Sequence, residues 1–386
     1  MNPVSKDSEP NFDSNKALWI AILIGVIGPE VFIVQPGFVQ GLVAYLGFDE
    51  QSAGYVASAE MFGLAATTVL MTFTAHRFNW RKVVGVSVGV MCVANILCLV
   101  VTEASTFTAL RFIAGLGAGS LVSLSFAAVG LTSNPDRNFG LLIMWVLIYG
   151  ALVLLAMPTV YDIAGFDGLL IFFALFPLVA LPFLRNLPIS ATASKQIDSG
   201  TLTLSPLLRL SALLAMLFYF AAQGAVWTYL FLIGTDAGLD EQDVANGLTL
   251  SQFSGIAGAG AAALIAQHFG RSLPLVIGIL GGALCLYFFA GVMATIVYVV
   301  AVTFYNFFWN WTHPYLMAAM ASFDRQGRVV VYAVAMQMIG LALGPGLAAT
   351  VVEGEGYANV LLLGGTLFVI SLLLVLLPLR SQSRQI

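Results

Sequence analysis

The chain has 386 residues, 60% of them hydrophobic and only 9% charged, with a formal net charge of -4 and a mean hydropathy of +0.95. That balance excludes a soluble globular domain and points to an all-α polytopic membrane protein in a lipid bilayer, with no nucleic-acid partner expected.

Apolar stretches of about 18 to 25 residues, each long enough to cross a ~30 Å hydrocarbon layer as a helix, recur about twelve times. In chain order the predicted spans are 17–45, 53–75, 83–102, 106–131, 138–160, 168–184, 210–233, 244–266, 273–291, 295–321, 329–351 and 358–379. The first run follows a polar start and lacks a small-residue cleavage site, so it is expected to remain as an anchor. Cys92, Cys98 and Cys285 fall inside apolar runs, where a thiol behaves as a small hydrophobe.

Lys and Arg collect on the cytoplasmic side of short loops. Lys6, Lys16, Arg77, Arg81, Lys82, Arg137, Arg185, Lys195, Arg209, Arg271, Arg325, Arg328, Arg380 and Arg384 all fall on the side shared by both termini. The opposite loops carry acids, among them Asp49, Glu50, Glu103, Asp162, Asp240, Glu241, Glu353 and Glu355. Both termini are therefore expected in the cytoplasm, and a bacterial inner membrane is the expected location.

The longest polar interruption, 185–209, is rich in Ser, Thr and Pro and reads as a linker between an N-terminal six-helix bundle (1–184) and a C-terminal one (210–386). The halves resemble each other. GFDEQ begins at Gly47 and GLDEQ at Gly238, 191 residues later, and the same offset pairs Phe62 with Phe253, Ala75 with Ala266, Phe78 with Phe269, Arg137 with Arg328 and Gly165 with Gly356. A duplicated six-helix unit is the expected architecture.

Between the second and third spans the chain reads TFTAHRFNWRK, and the fourth span contains RFIAGLGAG. With six plus six spans and a central linker, these stretches resemble the major facilitator superfamily of secondary transporters. The resemblance implies a fold of two pseudo-symmetric bundles working by alternating access, no cofactor, no enzymatic activity and a monomer. Arg77 and Arg81 match basic positions of the family's G-x-x-x-D-R-x-G-R-R loop, with Lys82 just beyond. His76 stands at the acid position, Thr72 and Asn79 replace the glycines and Trp80 replaces an arginine. The second-half copy keeps Gly270 and Arg271. Arg77, Arg81, Lys82, Gly270 and Arg271 are the gating candidates that the resemblance implies, and Pro314 is a further one because a proline is expected to bend the tenth span. Arg111, Gly115 and Gly117 match the fourth-helix motif. The G-P pair of the drug-antiporter motif is absent from the fifth span, which favours import, although drug efflux remains an alternative.

Three charged side chains lie at membrane depth, each a functional candidate by its expense there: Glu30, Glu60 and Arg111. Glu60 and Arg111 fall at a similar depth of roughly 10 Å and are expected partners. The pair suits proton coupling and equally suits orienting helices. Glu30 sits mid-span in GPEVFIVQPGFVQ, where Pro29, Pro36 and Gly37 loosen the helix. Without a cation it is suited to carry a proton across, and a protonated carboxyl held inside the bundle is the structural alternative.

The tenth span carries Asn306, Asn310, His313 and Met317 at intervals of four, three and four, one stripe along a helix. The seventh matches it with Tyr219, Gln223 and Trp227. In the resembled fold the first, fourth, seventh and tenth helices line the central cavity. The expected solute site therefore comprises Gln35, Tyr219, Gln223, Trp227, Asn306, Trp309, Asn310 and His313. Such a lining suits a small organic solute, with an aromatic acid as one form, its ring on Trp227 or Trp309 and its carboxylate on Arg111 or His313. Interhelical hydrogen bonding is the alternative role of the amides. His313, Met317 and Met320 also suit a soft-metal ladder for copper import. No phosphate-cradling loop is recognisable, so ATP drive is not expected.

Overall fold

The computed structural model describes residues 12–190, 205–265, 270–323, 328–352 and 356–383. The middle of the expected linker (191–204), Ala266 and Phe269 of the repeat register, and Lys6, Lys195, Arg325, Arg384, Glu353 and Glu355 lie outside the described residues.

The first span is three helical pieces: α1 (Asn15–Ile27), α2 (Glu30–Ile33) and α3 (Gln35–Ala44). It breaks at Gly28–Pro29 and again at Val34, two residues before Pro36. There follow α4 (Glu50–Thr74), α5 (Trp80–Cys98), α6 (Ala104–Gly130) and α7 (Pro135–Leu175), the last continued by a 3-10 segment, Phe176–Asn186. α7 holds two spans. Gly165, at φ 60° and ψ -162°, turns the chain back on itself, so Tyr149 stacks on Phe172 and Phe176 with centroids 6.4 and 5.3 Å apart. Pro177 and Pro182 remove two helical donors from the closing segment. The second half comprises α8 (Pro206–Asp236), α9 (Glu241–Ile265), α10 (Ser272–Tyr287), α11 (Thr295–Ser322), α12 (Arg328–Val351) and α13 (Ala358–Ser383).

The duplication seen in the sequence recurs in the backbone. α4 and α9 begin and end at positions 191 residues apart, and so do the starts of α1 and α8 and of α6 and α11. Gly47 and Gly238 have φ of 67° and 90°, and Gly165 and Gly356 have 60° and 80°. Each pair occupies one place in the repeat, at a turn that an L side chain would strain.

Apolar burial supplies little attraction between helices inside lipid, so close packing and buried hydrogen bonds join them. A Cβ on Gly115 of α6 would collide with the backbone carbonyl of Glu60 on α4. That glycine lets α4 and α6 approach backbone to backbone and brings their charged residues together. An apolar groove of about 440 Å³ between α10 and α11, lined by Leu284, Cys285, Ile296, Val300 and Phe304 among others, holds none of the polar residues discussed below.

Eight hydrogen bonds between described residues join the halves. Nearest the face opposite the termini, Tyr357 Oη donates to Glu50 Oε1 (2.7 Å), Tyr229 Oη to the Glu50 carbonyl (2.9 Å), Gln51 Nε2 to the Ala349 carbonyl (3.1 Å) and Gln40 Nε2 to Glu241 Oε1 (3.2 Å). Deeper in, Ser58 Oγ donates to the Ala342 carbonyl (2.7 Å) and Thr249 Oγ1 to the Ala151 carbonyl (3.3 Å). These two bonds are repeat-mates, since 58 and 249, like 151 and 342, are 191 residues apart. Trp227 and Thr228 supply the remaining two.

Candidate functional site

Arg111 is fully buried and pairs with Glu60 in two-pronged fashion, Nη2 to Oε1 at 2.5 Å and Nε to Oε2 at 3.2 Å. Its Nη1 donates to Asn95 Oδ1 at 2.5 Å, and Asn95 is itself fixed by donating to the Met91 (2.8 Å) and Phe173 (3.2 Å) carbonyls. The guanidinium carbon lies 5.1 Å from the centre of the Phe38 ring, a cation–π distance. Such dense pairing is what a charge inside hydrocarbon requires. The guanidinium expected to meet a solute carboxylate is thus bonded to Glu60 and Asn95 in this structure.

Glu30, at the start of α2, is 1% exposed, and neither carboxylate oxygen meets a donor among the described residues. It lies within electrostatic reach of both Arg111 and Glu60. The Arg111 guanidinium is paired with Glu60, so an ionised Glu30 would add a negative charge that no ion pair among the described residues compensates. The break in the helix also frees the Glu30 carbonyl, because the Val34 N–H bonds Val31 instead (3.2 Å). Tyr149 Oη takes that place at 3.2 Å.

Of the residues expected on the first, seventh and tenth spans, Gln35, Trp227 and Trp309 meet between the halves, whereas Tyr219, Gln223, Asn306, Asn310 and His313 make their contacts within the second half. Gln35 Oε1 accepts from Thr228 Oγ1 at 3.2 Å, and Trp227 Nε1 donates to the Phe32 carbonyl at 3.0 Å. The Trp309 ring lies edge-on to Trp227 (5.8 Å) and Phe32 (6.3 Å). Tyr219 Oη accepts from Gln223 Nε2 at 3.0 Å, and the Gln223 carbonyl oxygen has no donor among the described residues. Asn306 donates to Ser251 Oγ (3.2 Å), which joins α11 to α9, while Asn310 donates to Asn306 Oδ1 (2.8 Å) and to the Asn306 carbonyl (3.0 Å) within α11. Half-buried His313 meets Gln337 Oε1 through Nε2 at 3.2 Å and packs edge-on to Phe220. Met317 is half-buried and Met320 buried. Pro314 is exposed, and α11 runs through it unbroken.

The gating candidates lie at the termini side. Asn79 caps α5 by accepting from the Arg81 (3.1 Å) and Lys82 (3.3 Å) backbone N–H groups. Arg81 Nε reaches the Leu187 carbonyl at 2.6 Å, Arg77 Nε meets His76 Nε2 at 3.4 Å, and buried Trp80 donates its indole N–H to the Ala75 carbonyl at 3.0 Å. All of these contacts stay within the first half. Gly270 turns the chain at φ 66° before α10, and Arg271 beside it is exposed.

Five polar partners do not stand out in the sequence as site residues: Asn95, Tyr149, Thr228, Ser251 and Gln337. Asn95 is visible as a lone amide in the apolar run of α5. Tyr149, Thr228, Ser251 and Gln337 carry no signal that sets them apart from their neighbours.

A family model described as Major Facilitator Superfamily matches residues 20–345. Among solved structures, a mutant form of the nucleoside transporter NupG superposes with a TM-score of 0.76 at 14% identity, covering 95% of this chain and 99% of that one. A D-xylose–proton symporter gives 0.74 at 15% identity, with 93% and 96% covered. The xylose transporter XylE from E. coli, in a partially occluded inward-open conformation, gives 0.70 at 14%, also with 93% and 96% covered. No curated protein matches the sequence.

Proposed function

The chain belongs to the Major Facilitator Superfamily, and from that premise we propose that it is a proton-coupled secondary transporter of a small organic solute, working by alternating access of its two halves. The observation that carries the coupling is Glu30: a carboxyl buried at membrane depth, beside a broken helix, with no hydrogen-bond donor among the described residues, while the Arg111 guanidinium is already paired with Glu60. Protonation removes the surplus charge of the Glu30, Glu60 and Arg111 cluster. Release restores it, and moving that charge toward water provides the bias between states.

The solute end of the reading rests on the C-terminal half. Amides, hydroxyls and indole rings predominate there, while Arg111 and His313 are already partnered. That chemistry favours an uncharged, hydroxyl-bearing solute with a flat or apolar face over an aromatic acid. The names of the similar structures, a nucleoside transporter and pentose transporters, lie in the same range. With the basic side taken as cytoplasmic, the bonds joining the halves sit toward the exterior, as in an inward-facing state. Thermal stabilisation of the purified protein by nucleosides, pentoses and aromatic acids tests the solute class. A ligand of the folded state raises the melting temperature once its concentration exceeds Kd. Stabilisation by a nucleoside or pentose, lost in Asn310→Ala, supports the reading, whereas stabilisation by aromatic acids alone contradicts it.

A further inference from the structure

One bond between the halves has its donor at the repeat counterpart of a proline. Pro36 and Trp227 are 191 residues apart, so they are counterparts in the duplicated unit. In a regular helix the Phe32 carbonyl would accept from the N–H four residues on, but residue 36 is a proline and has none. At membrane depth an unmatched carbonyl is expensive. Its own segment offers only the Val34 N–H, two residues on and directed also at Val31, and the further donor comes from the other half: Trp227 Nε1 meets the Phe32 oxygen at 3.0 Å. Beside it, Thr228 Oγ1 lies 3.2 Å from Gln35 Oε1 across the interface and 2.6 Å from the Gly224 carbonyl of its own helix.

Trp227 lies nine residues before the end of α8 at Asp236, ~13 Å in from the face opposite the termini. Ser58 and Thr249 each lie eight residues past the starts of α4 and α9, at nearly the same depth. Their two bonds are symmetric copies of one contact, whereas the Trp227 bond has no copy, because its counterpart position is the proline that creates the need for it.

The geometry points to a clasp specific to this conformational state, in which Pro36 leaves the Phe32 carbonyl without a helical donor and the Trp227 indole supplies one across the interface. Trp227 is then a positioning residue for the transport cycle. Separation of the halves on this face breaks the bond and exposes an acceptor carbonyl on the first half and a donor indole N–H on the second. The clasp rests on the alternating-access reading, but its test needs neither solute nor proton gradient.

The test places spin labels at Ile163→Cys and Val292→Cys, exposed residues in opposite halves, with Cys92, Cys98 and Cys285 replaced by Ala, and reads the distance distribution by double electron–electron resonance. Trp227→Phe keeps the ring and removes the donor, so the mean distance is expected to lengthen. Pro36→Ala restores a backbone N–H at that position for the Phe32 carbonyl, and in that background Trp227→Phe is expected to lose most of its effect. An unchanged distribution in Trp227→Phe, or an equal shift in both backgrounds, overturns the clasp. Should Trp227→Phe fail to fold, indole hydrogen exchange in the unsubstituted protein decides. The Trp227 N–H is expected to exchange far more slowly than that of the exposed Trp19, and equal rates overturn the clasp as surely. Failure of transport itself would leave both readouts standing.

Discussion

Arg111 shows how a charge survives where water is excluded: its donors face Glu60 and Asn95, and an aromatic face closes one side. Breaking a buried ion pair leaves its partner uncompensated, so Arg111→Ala is expected to lower stability by about 3–5 kcal/mol. Asn95→Ala leaves one donor unpaired and is expected to cost about 1–3 kcal/mol. Denaturation monitored in detergent checks both, and an Arg111→Ala protein as stable as the wild type contradicts this account of the cluster. The Glu60 and Arg111 pairing was legible because charged residues are rare at membrane depth and these two matched in depth. The role of Asn95 was not, since an amide in an apolar helix has many possible partners and only packing selects one. The stripe of Asn306, Asn310 and His313 was legible as a stripe, whereas its partition between cavity and interhelical bonds depended on Ser251 and Gln337, which come from other helices.

At the scale of elements, the RFIAGLGAG stretch acts through contact distance. A Cβ at Gly115 meets the Glu60 carbonyl, and one at Gly117 meets the Ser87 carbonyl of α5, so α6 is wedged closely between two neighbours. Gly115→Val is expected to abolish monodisperse folded protein in size-exclusion chromatography, while Gly89→Ala, at a position with open space around it, is expected to leave the elution profile unchanged. A normal profile for Gly115→Val contradicts the close-approach argument. Element boundaries were read well where capping and turn residues mark them: 53–75 became Glu50–Thr74, with Asp49 accepting from the Ser52 N–H at 2.6 Å. The first span was expected to loosen near its prolines and does so, with one break at Val34, two residues before Pro36; the side chains that take up the freed carbonyls, Tyr149 and Trp227, come from other helices and carry no local sequence signal.

At the scale of the whole molecule, the duplication was legible from GFDEQ and GLDEQ, and the backbone repeats it at helix starts and at left-handed glycines. What the sequence could not convey is which conformational state the halves adopt, because that depends on bonds between residues far apart in the chain. Ser58→Ala and Thr249→Val each remove one of the paired bonds, and an intramembrane hydrogen bond of this kind averages about 0.6 kcal/mol. Each variant is therefore expected to shift the same spin-label distances modestly toward separation, in the same direction because the two bonds are symmetry mates. Shifts of opposite sign contradict the symmetric interface. The most direct test of the central claim is solute-driven proton movement into proteoliposomes across a panel of nucleosides and pentoses, comparing the wild type with Glu30→Gln. The account predicts a solute that moves protons through the wild type, with Glu30→Gln still exchanging that solute but moving none; undiminished proton movement through Glu30→Gln would contradict it.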